Sequence, residues 1–193
     1  MREVAGALER LIAALDKQGI EYMLVGSLAS SIHGIERRTR DIDLAATIGP
    51  GQTTSLAADL SGEFYIDAEA ASEALQRGRS FNVIHLASAY KFDIFPLRDD
   101  AYSRAQIGSS QSQPITFAEG VMVRCPVATP EDIILAKLWY RLGGEQSDQR
   151  WNDLRGVREV QRGKLDEPYH EEMGRSFARG RSSRAPLWRG DLM

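Results

Sequence analysis

A short apolar run that ends in a glycine and continues as a helix most constrains the fold of this 193-residue chain. The run covers residues 20–25, and its near-continuous hydrophobicity predicts a buried strand. Gly26 permits a tight turn, and residues 27–33 are expected to form a short helix with Ser27 near its N-cap. The N–H groups at the start of such a helix favour an anion, so the turn predicts a phosphate site, although a plain helix cap would also explain Ser27.

A pair of acids follows on the next predicted strand, with the pattern Asp41-Ile42-Asp43. Alternate side chains of a strand share a face, so both carboxylates would point the same way while Ile42 enters the core. Two oxygen ligands at this spacing suit Mg²⁺ or Mn²⁺. The alternative is a solvent-facing strand edge at which the acids pair with Arg38 or Arg40.

A third acid, Asp93, interrupts an apolar strand between Phe92 and Ile94. An unpaired acid among core residues is costly, so a functional role is favoured over a structural one. If this strand lies beside the Asp41 strand, Asp93 completes a cluster of three carboxylates that could hold two metal ions.

The chain is expected to divide into three parts. Residues 1–125 form a mixed α/β core, 126–173 a helical segment, and 174–193 a basic, flexible tail with five arginines and one acid. The helical segment begins at a strong start signal, with Thr129 as cap and Pro130 at the first helical position. Further predictions are two hairpins (81–86 with 90–95, and 115–117 with 121–125), a loop at 108–114, and helices at 147–160 and from Asp166.

Composition is that of an ordinary soluble globular protein, with 42% hydrophobic and 26% charged residues. A net charge of −3 argues against a protein that coats nucleic acid. Cys125 is the single cysteine, which excludes an internal disulfide and favours a reducing compartment. The sequence contains no run of eighteen apolar residues, so no membrane span is predicted. The charged N-terminal stretch does not resemble a signal peptide. A cytoplasmic protein is therefore expected.

The motifs together resemble the nucleotidyltransferase superfamily, the polymerase-β-like enzymes. The pattern comprises Val25-Gly26-Ser27, a spacer of thirteen residues, Asp41-Ile42-Asp43-Leu44 and the later Asp93. The segment GSLASSIHGIERRTRDIDL is similar to the bacterial abortive-infection, toxin-type and minimal nucleotidyltransferases, and the similarity continues through TPEDIILAKLWYR and SDQRWNDL.

This resemblance implies an α+β fold, with a mixed twisted β-sheet flanked by helices and a C-terminal helical segment. It implies that Asp41, Asp43 and Asp93 are catalytic and bind the metal ions, while Gly26 and Ser27 hold the β,γ-phosphates. It also implies nucleotide contacts from the C-terminal helices, where Lys137 matches a family lysine; the alternative for Lys137 is a surface residue of an amphipathic helix. Further candidates for nucleotide contact are Arg40 and Arg141, and Asp148 and Asp153 are looser matches.

The first hypothesis for function is transfer of a nucleoside monophosphate from an NTP to a hydroxyl group, with Mg²⁺ or Mn²⁺ as cofactor. The acceptor could be an RNA 3′ end, a protein hydroxyl or a small molecule. A toxin role with a cognate antitoxin as partner is a further option. The alternatives are a non-catalytic nucleotide-binding or interaction module of the same fold, and a metal-dependent nuclease, which would leave Gly26-Ser27 unexplained.

Overall fold

The computed structural model describes residues 2–117, 120–142 and 147–179, without the side chains of 140–142 and 176–179. Strands and helices alternate through the first two thirds of the chain, and three helices follow. The elements are α1 (Arg2–Lys17), β1 (Tyr22–Val25), α2 (Gly26–His33), β2 (Asp41–Ala46), a 3₁₀ turn (Pro50–Gln52), α3 (Thr53–Asp59), β3 (Phe64–Tyr65), α4 (Ala68–Gln76), β4 (Phe81–His85), β5 (Tyr90–Pro96), α5 (Ala101–Ser109), β6 (Gln111–Thr116), β7 (Met122–Val127), α6 (Pro130–Leu142), α7 (Asp148–Val160) and α8 (Glu167–Arg179).

Within the ranges that the structure describes, seven strands form one mixed sheet in the order β3-β4-β5-β2-β1-β7-β6. The β2–β5 and β1–β7 pairs are parallel, and the four other pairs are antiparallel. This topology confirms the α+β class and both predicted hairpins. It also places β2 between β1 and β5, so the strand with two acids has the glycine turn on one side and Asp93 on the other.

The core lies between the sheet and the helices that cover it. On β2, Ile42 and Leu44 are fully buried, while the intervening acids are partly exposed, as period-two alternation requires. On β5, Phe92 and Ile94 are likewise fully buried on either side of Asp93. Because the apolar residues of both strands anchor one face in the core, the register of the acids on the other face is set by core packing.

Helix α7 packs against α2 at very short range. A Cβ on Gly34 would lie 2.7 Å from the backbone nitrogen of Val157, so this approach requires a glycine. Gln161 donates to the backbone oxygen of His33 at 2.7 Å, and the His33 ring lies 2.9 Å from the backbone oxygen of Ala128. These contacts hold α7 against the C-terminal end of α2.

The helix caps of the C-terminal part agree with the sequence. Thr129 Oγ1 accepts the Asp132 N–H at 3.2 Å and donates to its carboxylate at 2.9 Å, which confirms the predicted start of α6. Ser147 caps α7 and Asp166 caps α8, as shown by their hydrogen bonds to the backbone of Arg150 and Tyr169.

Two predicted boundaries differ from the structure, and a third prediction falls on residues that the structure does not describe. The predicted loop at 108–114 is wrong, because α5 runs to Ser109 and β6 begins at Gln111. Pro114 is tolerated there since β6 is an edge strand. Helix α8 continues to Arg179, beyond the expected boundary at 173, and residues 180–193 of the predicted tail lie outside the described residues.

The predicted cap of α2 also differs. Val25 is the N-cap residue and makes no side-chain cap, and the helix starts at Gly26. In the described part of the chain, no helix is long and apolar enough to cross a bilayer.

Candidate functional site

The turn between β1 and α2 is built around Gly26 and the carboxylate of Asp43. Gly26 has φ +65°, and Val25 is paired with Asp43 across the antiparallel β1–β2 ladder. A Cβ on Gly26 would lie 2.6 Å from Cγ of Asp43, well inside van der Waals contact. The backbone N–H of Ser27 favours the ionised form of the Asp43 carboxylate and lowers its pKa. The first anion at this helix start is therefore the protein's own carboxylate, and phosphate binding by Gly26 and Ser27 stays a prediction.

The three candidate carboxylates lie on two neighbouring strands. In the parallel β2–β5 pair, Asp43 is opposite Asp93, and Asp41 is opposite Lys91. Strand alternation puts these four side chains on one face of the sheet, because their apolar neighbours occupy the other. The arrangement required by the sequence argument, with Asp93 beside the Asp41-Asp43 strand, is present.

The three carboxylates are close enough to influence one another's ionisation. Burial and, less strongly, the Asp41 and Asp93 charges raise the pKa of Asp43 to about 6, against the opposing effects of the Ser27 N–H and Lys91. Oδ1 of Asp93 is buried and has no hydrogen-bond partner among the described residues. Both observations are typical of carboxylates that share a site for a positive charge.

A lysine that the sequence analysis did not single out supplies part of that charge. Nζ of Lys91 lies 2.8 Å from Oδ2 of Asp93 and 4.0 Å from Oδ2 of Asp41. The hydrogen bond to Asp93 raises the pKa of Lys91, so the ammonium stays protonated. Thr39 donates to the Asp41 carboxylate at 3.0 Å. Period-two alternation was the available signal for Lys91, since it places residue 91 on the face of residue 93.

The structure contradicts the alternative in which Arg38 or Arg40 pairs with the two acids of β2. Both arginines are exposed, and within the described ranges neither forms an ion pair with Asp41 or Asp43. The partner of Asp41 comes from β5.

The residues fit a hard divalent ion in chemistry. Three carboxylates from adjacent strands give an all-oxygen donor set. As the side chains stand, no three metal-ligand groups of the described residues are grouped closely enough to hold an ion. The Lys91 ammonium is within 4.0 Å of two of the three carboxylates, those of Asp41 and Asp93.

A second charged cluster joins the glycine turn to the C-terminal helices. The Arg37 guanidinium donates to both carboxylate oxygens of Asp153, at 2.6 and 2.9 Å, and to Oγ of Ser27 at 2.5 Å. Nζ of Lys137 donates to the same Asp153 carboxylate at 2.9 Å. One acid of α7 therefore holds two cations next to the turn.

This cluster is largely shielded from water. The side chains of Asp153 and Lys137 are 5% and 8% exposed, which contradicts the alternative of a surface lysine. Burial raises the pKa of Asp153, but the hydrogen bonds from Arg37 and Lys137 outweigh it and leave the value below normal. Burial also lowers the pKa of Lys137, and Asp153 opposes that effect.

The other candidates for nucleotide contact have different positions. Arg40 and Asp148 are exposed, and the side chain of Arg141 lies outside the described residues. Arg37 was missed because nothing in the sequence distinguishes it from its neighbours at 38 and 40. Only the fold shows which arginine meets Asp153.

The three carboxylates, the glycine turn and Lys137 line one cleft of about 880 Å³, whereas Arg37 and Asp153 are not among its lining residues. Its floor is the glycine turn with the three carboxylates, and α5 and α6 supply walls that include Tyr102, Trp139 and Lys137. A cleft of this size is in the range of small-ligand sites, which are about 300–1,000 Å³. The geometry provides three carboxylates, a helix start and the Lys137 ammonium within one concave surface.

Comparison with known proteins agrees with the architecture. No family model matches the sequence, and no curated protein matches it significantly. The solution structure of the antibiotic-resistance factor ANT(2″)-Ia is similar, with 18% identity, a TM-score of 0.51 and coverage of 91% of each chain.

Two further solved structures are more distant. A nucleotidyltransferase-like antigen from Paracoccidioides brasiliensis has 17% identity and a TM-score of 0.49, with 89% of this chain and 86% of the other covered. The lincomycin-bound lincosamide antibiotic adenylyltransferase LnuA has 14% identity and a TM-score of 0.45, with coverage of 79% and 95%. The first similarity is the basis for the assignment: the chain has the nucleotidyltransferase fold, and the resemblance found in the sequence is confirmed at that level.

Proposed function

We propose that the protein transfers a nucleoside monophosphate from an NTP to a hydroxyl acceptor. The observation that carries the proposal is the convergence of three carboxylates, a glycine turn and the buried Lys137 on one cleft. Phosphoryl transfer needs this combination, because the chemistry depends on positioning the phosphates and neutralising their charge.

The residues can be assigned distinct roles. Lys137 binds the triphosphate from α6, Arg37 positions the Ser27 hydroxyl at the turn, and Gly26 lets a phosphate approach the backbone. Asp41, Asp43 and Asp93 would hold Mg²⁺ or Mn²⁺, which supplies positive charge that activates the attacking hydroxyl and stabilises the leaving group.

The transfer step is a nucleophilic displacement at the α-phosphorus. The acceptor hydroxyl oxygen forms a bond to the α-phosphorus, and the bond from that phosphorus to the bridging oxygen breaks. Pyrophosphate leaves with the electron pair. Oδ1 of Asp93, which has no partner among the described residues, accepts the hydroxyl proton.

A small-molecule acceptor is the class to test first. Phe95 of β5, Tyr102 of α5 and Trp139 of α6 give the lining of the cleft apolar and aromatic surface. Aromatic lining with a few polar groups is typical of small-ligand sites. The similarity of fold to an antibiotic-resistance factor is the reason to include hydroxylated antibiotics among the compounds.

The experiment follows α-labelled NTPs with Mg²⁺ and three acceptor pools: RNA, protein and small molecules from a cell extract, the last supplemented with antibiotics. We expect label in one pool with the native protein and with Asp16→Asn, a matched change of an exposed acid on α1. Asp43→Asn should label nothing. Equal labelling by Asp43→Asn would contradict the proposal, and NTP binding without transfer to any pool would favour the non-catalytic module.

A toxin role is tested separately in cells. Expression of the protein should arrest growth if it is a toxin, and Asp43→Asn should remove the arrest. Normal growth with the native protein at equal abundance would contradict that role and would leave the transfer activity untouched.

A further inference from the structure

The Lys91 ammonium occupies the face of the sheet on which a divalent ion would bind. It lies 2.8 Å from Oδ2 of Asp93 and 4.0 Å from Oδ2 of Asp41, two of the three carboxylates assigned to the metal. It enters from β5 directly opposite Asp41. The four side chains therefore form one patch in which three negative charges surround a single positive charge.

An ion and the ammonium cannot share these oxygens. Mg²⁺ sits about 2.1 Å from its oxygen ligands, so an ion on Oδ2 of Asp93 would be at most about 5 Å from Nζ of Lys91 where it now stands. Like charges at that separation repel strongly, and the oxygen now accepting from Lys91 would be needed by the ion.

Lys91 is free to leave at small cost. Its side chain is 42% exposed, whereas that of Asp93 is 15% exposed. A flexible lysine stem can turn its ammonium into water without a desolvation penalty, but the aspartate cannot follow it. The alternative state, with the ammonium in solvent and the carboxylates on an ion, is therefore accessible without a change in the backbone.

We infer that Lys91 is the counter-ion of the metal-free site and that a divalent ion binds by displacing it. The inference rests on the proposed metal site. Lys91 keeps the carboxylates together before the ion arrives, and it makes the ion compete with a resident cation. Its removal should therefore destabilise the metal-free protein and strengthen metal binding, two opposite effects of one substitution.

The test is the affinity for Mn²⁺ alone, measured from the free-ion signal in electron paramagnetic resonance, together with melting temperature in EDTA. Lys91→Met should lower the dissociation constant about three- to tenfold, the worth of an ion pair to a mostly buried carboxylate. It should also lower the melting temperature in EDTA, and Mn²⁺ should restore more stability to it than to the native protein. Lys91→Arg keeps the charge and should stay close to native.

Two controls separate the possible failures. Lys164→Met removes the same charge at an exposed turn and should leave the Mn²⁺ affinity unchanged, which excludes a general charge effect. Asp43→Asn should abolish the native Mn²⁺ binding. If native binding is lost in Asp43→Asn but Lys91→Met binds Mn²⁺ no more tightly than native, the displacement is wrong and the metal site stands. If the native protein binds no Mn²⁺ that depends on Asp43, both proposals are contradicted.

Discussion

Replacement of Asp153 by asparagine should be among the most destabilising polar substitutions in the chain. The Asp153 carboxylate is 5% exposed and neutralises Lys137, which is 8% exposed, and Arg37, which is 25% exposed. Asparagine keeps the shape but removes the charge, so the Lys137 ammonium is left buried without a counter-ion. Removing one partner of a buried pair typically costs about 3–5 kcal/mol, and we expect a loss in that range.

The assay is urea unfolding, with the free energy taken at equal slope for each variant. The matched control is Glu73→Gln, which breaks an exposed ion pair of 3.3 Å with Arg77 and should cost about 0–1 kcal/mol. The double variant Asp153→Asn with Lys137→Met should recover part of the lost stability, because the uncompensated ammonium is gone. A cost for Asp153→Asn as small as that of the control would refute the reasoning.

Three other changes test single features of the site. Gly26→Ala places a Cβ 2.6 Å from Cγ of Asp43 at φ +65°, so unfolding measurements should show a loss of at least about 2 kcal/mol; a loss below about 0.5 kcal/mol would contradict the geometry. The pKa of Asp43 is raised from 3.8 to about 6 and a metal ligand must be deprotonated, so the Mn²⁺ affinity in a titration series should fall as the pH drops through about 6; a fall confined to the region near pH 4 would contradict the shift. Arg37→Met should weaken NTP binding about tenfold or more in calorimetry, while Arg40→Met, an exposed site, should change it little; the reverse order would restore Arg40 as the nucleotide contact.

The strands that carry the acids were predictable because their signal is local. Alternation along residues 41–45 and 90–95 gives both the strand and the face of each acid, and the core side chains Ile42 and Phe92 fix the register. The adjacency of β2 and β5 is a long-range fact. It was predicted only as a condition of the metal hypothesis, and the parallel pairing of Asp43 with Asp93 satisfies that condition.

The wrong prediction of a loop at 108–114 also has a physical cause. The stretch 108–114 is polar and ends in proline, so it has the composition of a loop. Its part from Gln111 onward forms a strand because the edge position tolerates Pro114 and because β7 offers a complete ladder. Helix α5 has little apolar periodicity, and the Asp100 side chain that accepts the Ser103 N–H at 2.7 Å is its main local signal.

The charged partners were the least predictable part of the site. Arg37 meets Asp153 across 116 residues of sequence, and this contact depends on the close packing of α7 against α2. The sequence alone does not distinguish the three arginines at positions 37, 38 and 40. Packing alone gives one of them a buried acceptor and leaves the others in solvent.

The most direct test of the central claim is metal-dependent nucleotide binding at the carboxylate face. Calorimetric titration with a non-hydrolysable analogue of each of the four NTPs should show binding in Mg²⁺, and no binding in EDTA or with Asp43→Asn at an unaltered fold. Binding of equal strength without the ion, or in Asp43→Asn, would contradict the account. So would the absence of binding by all four analogues in Mg²⁺.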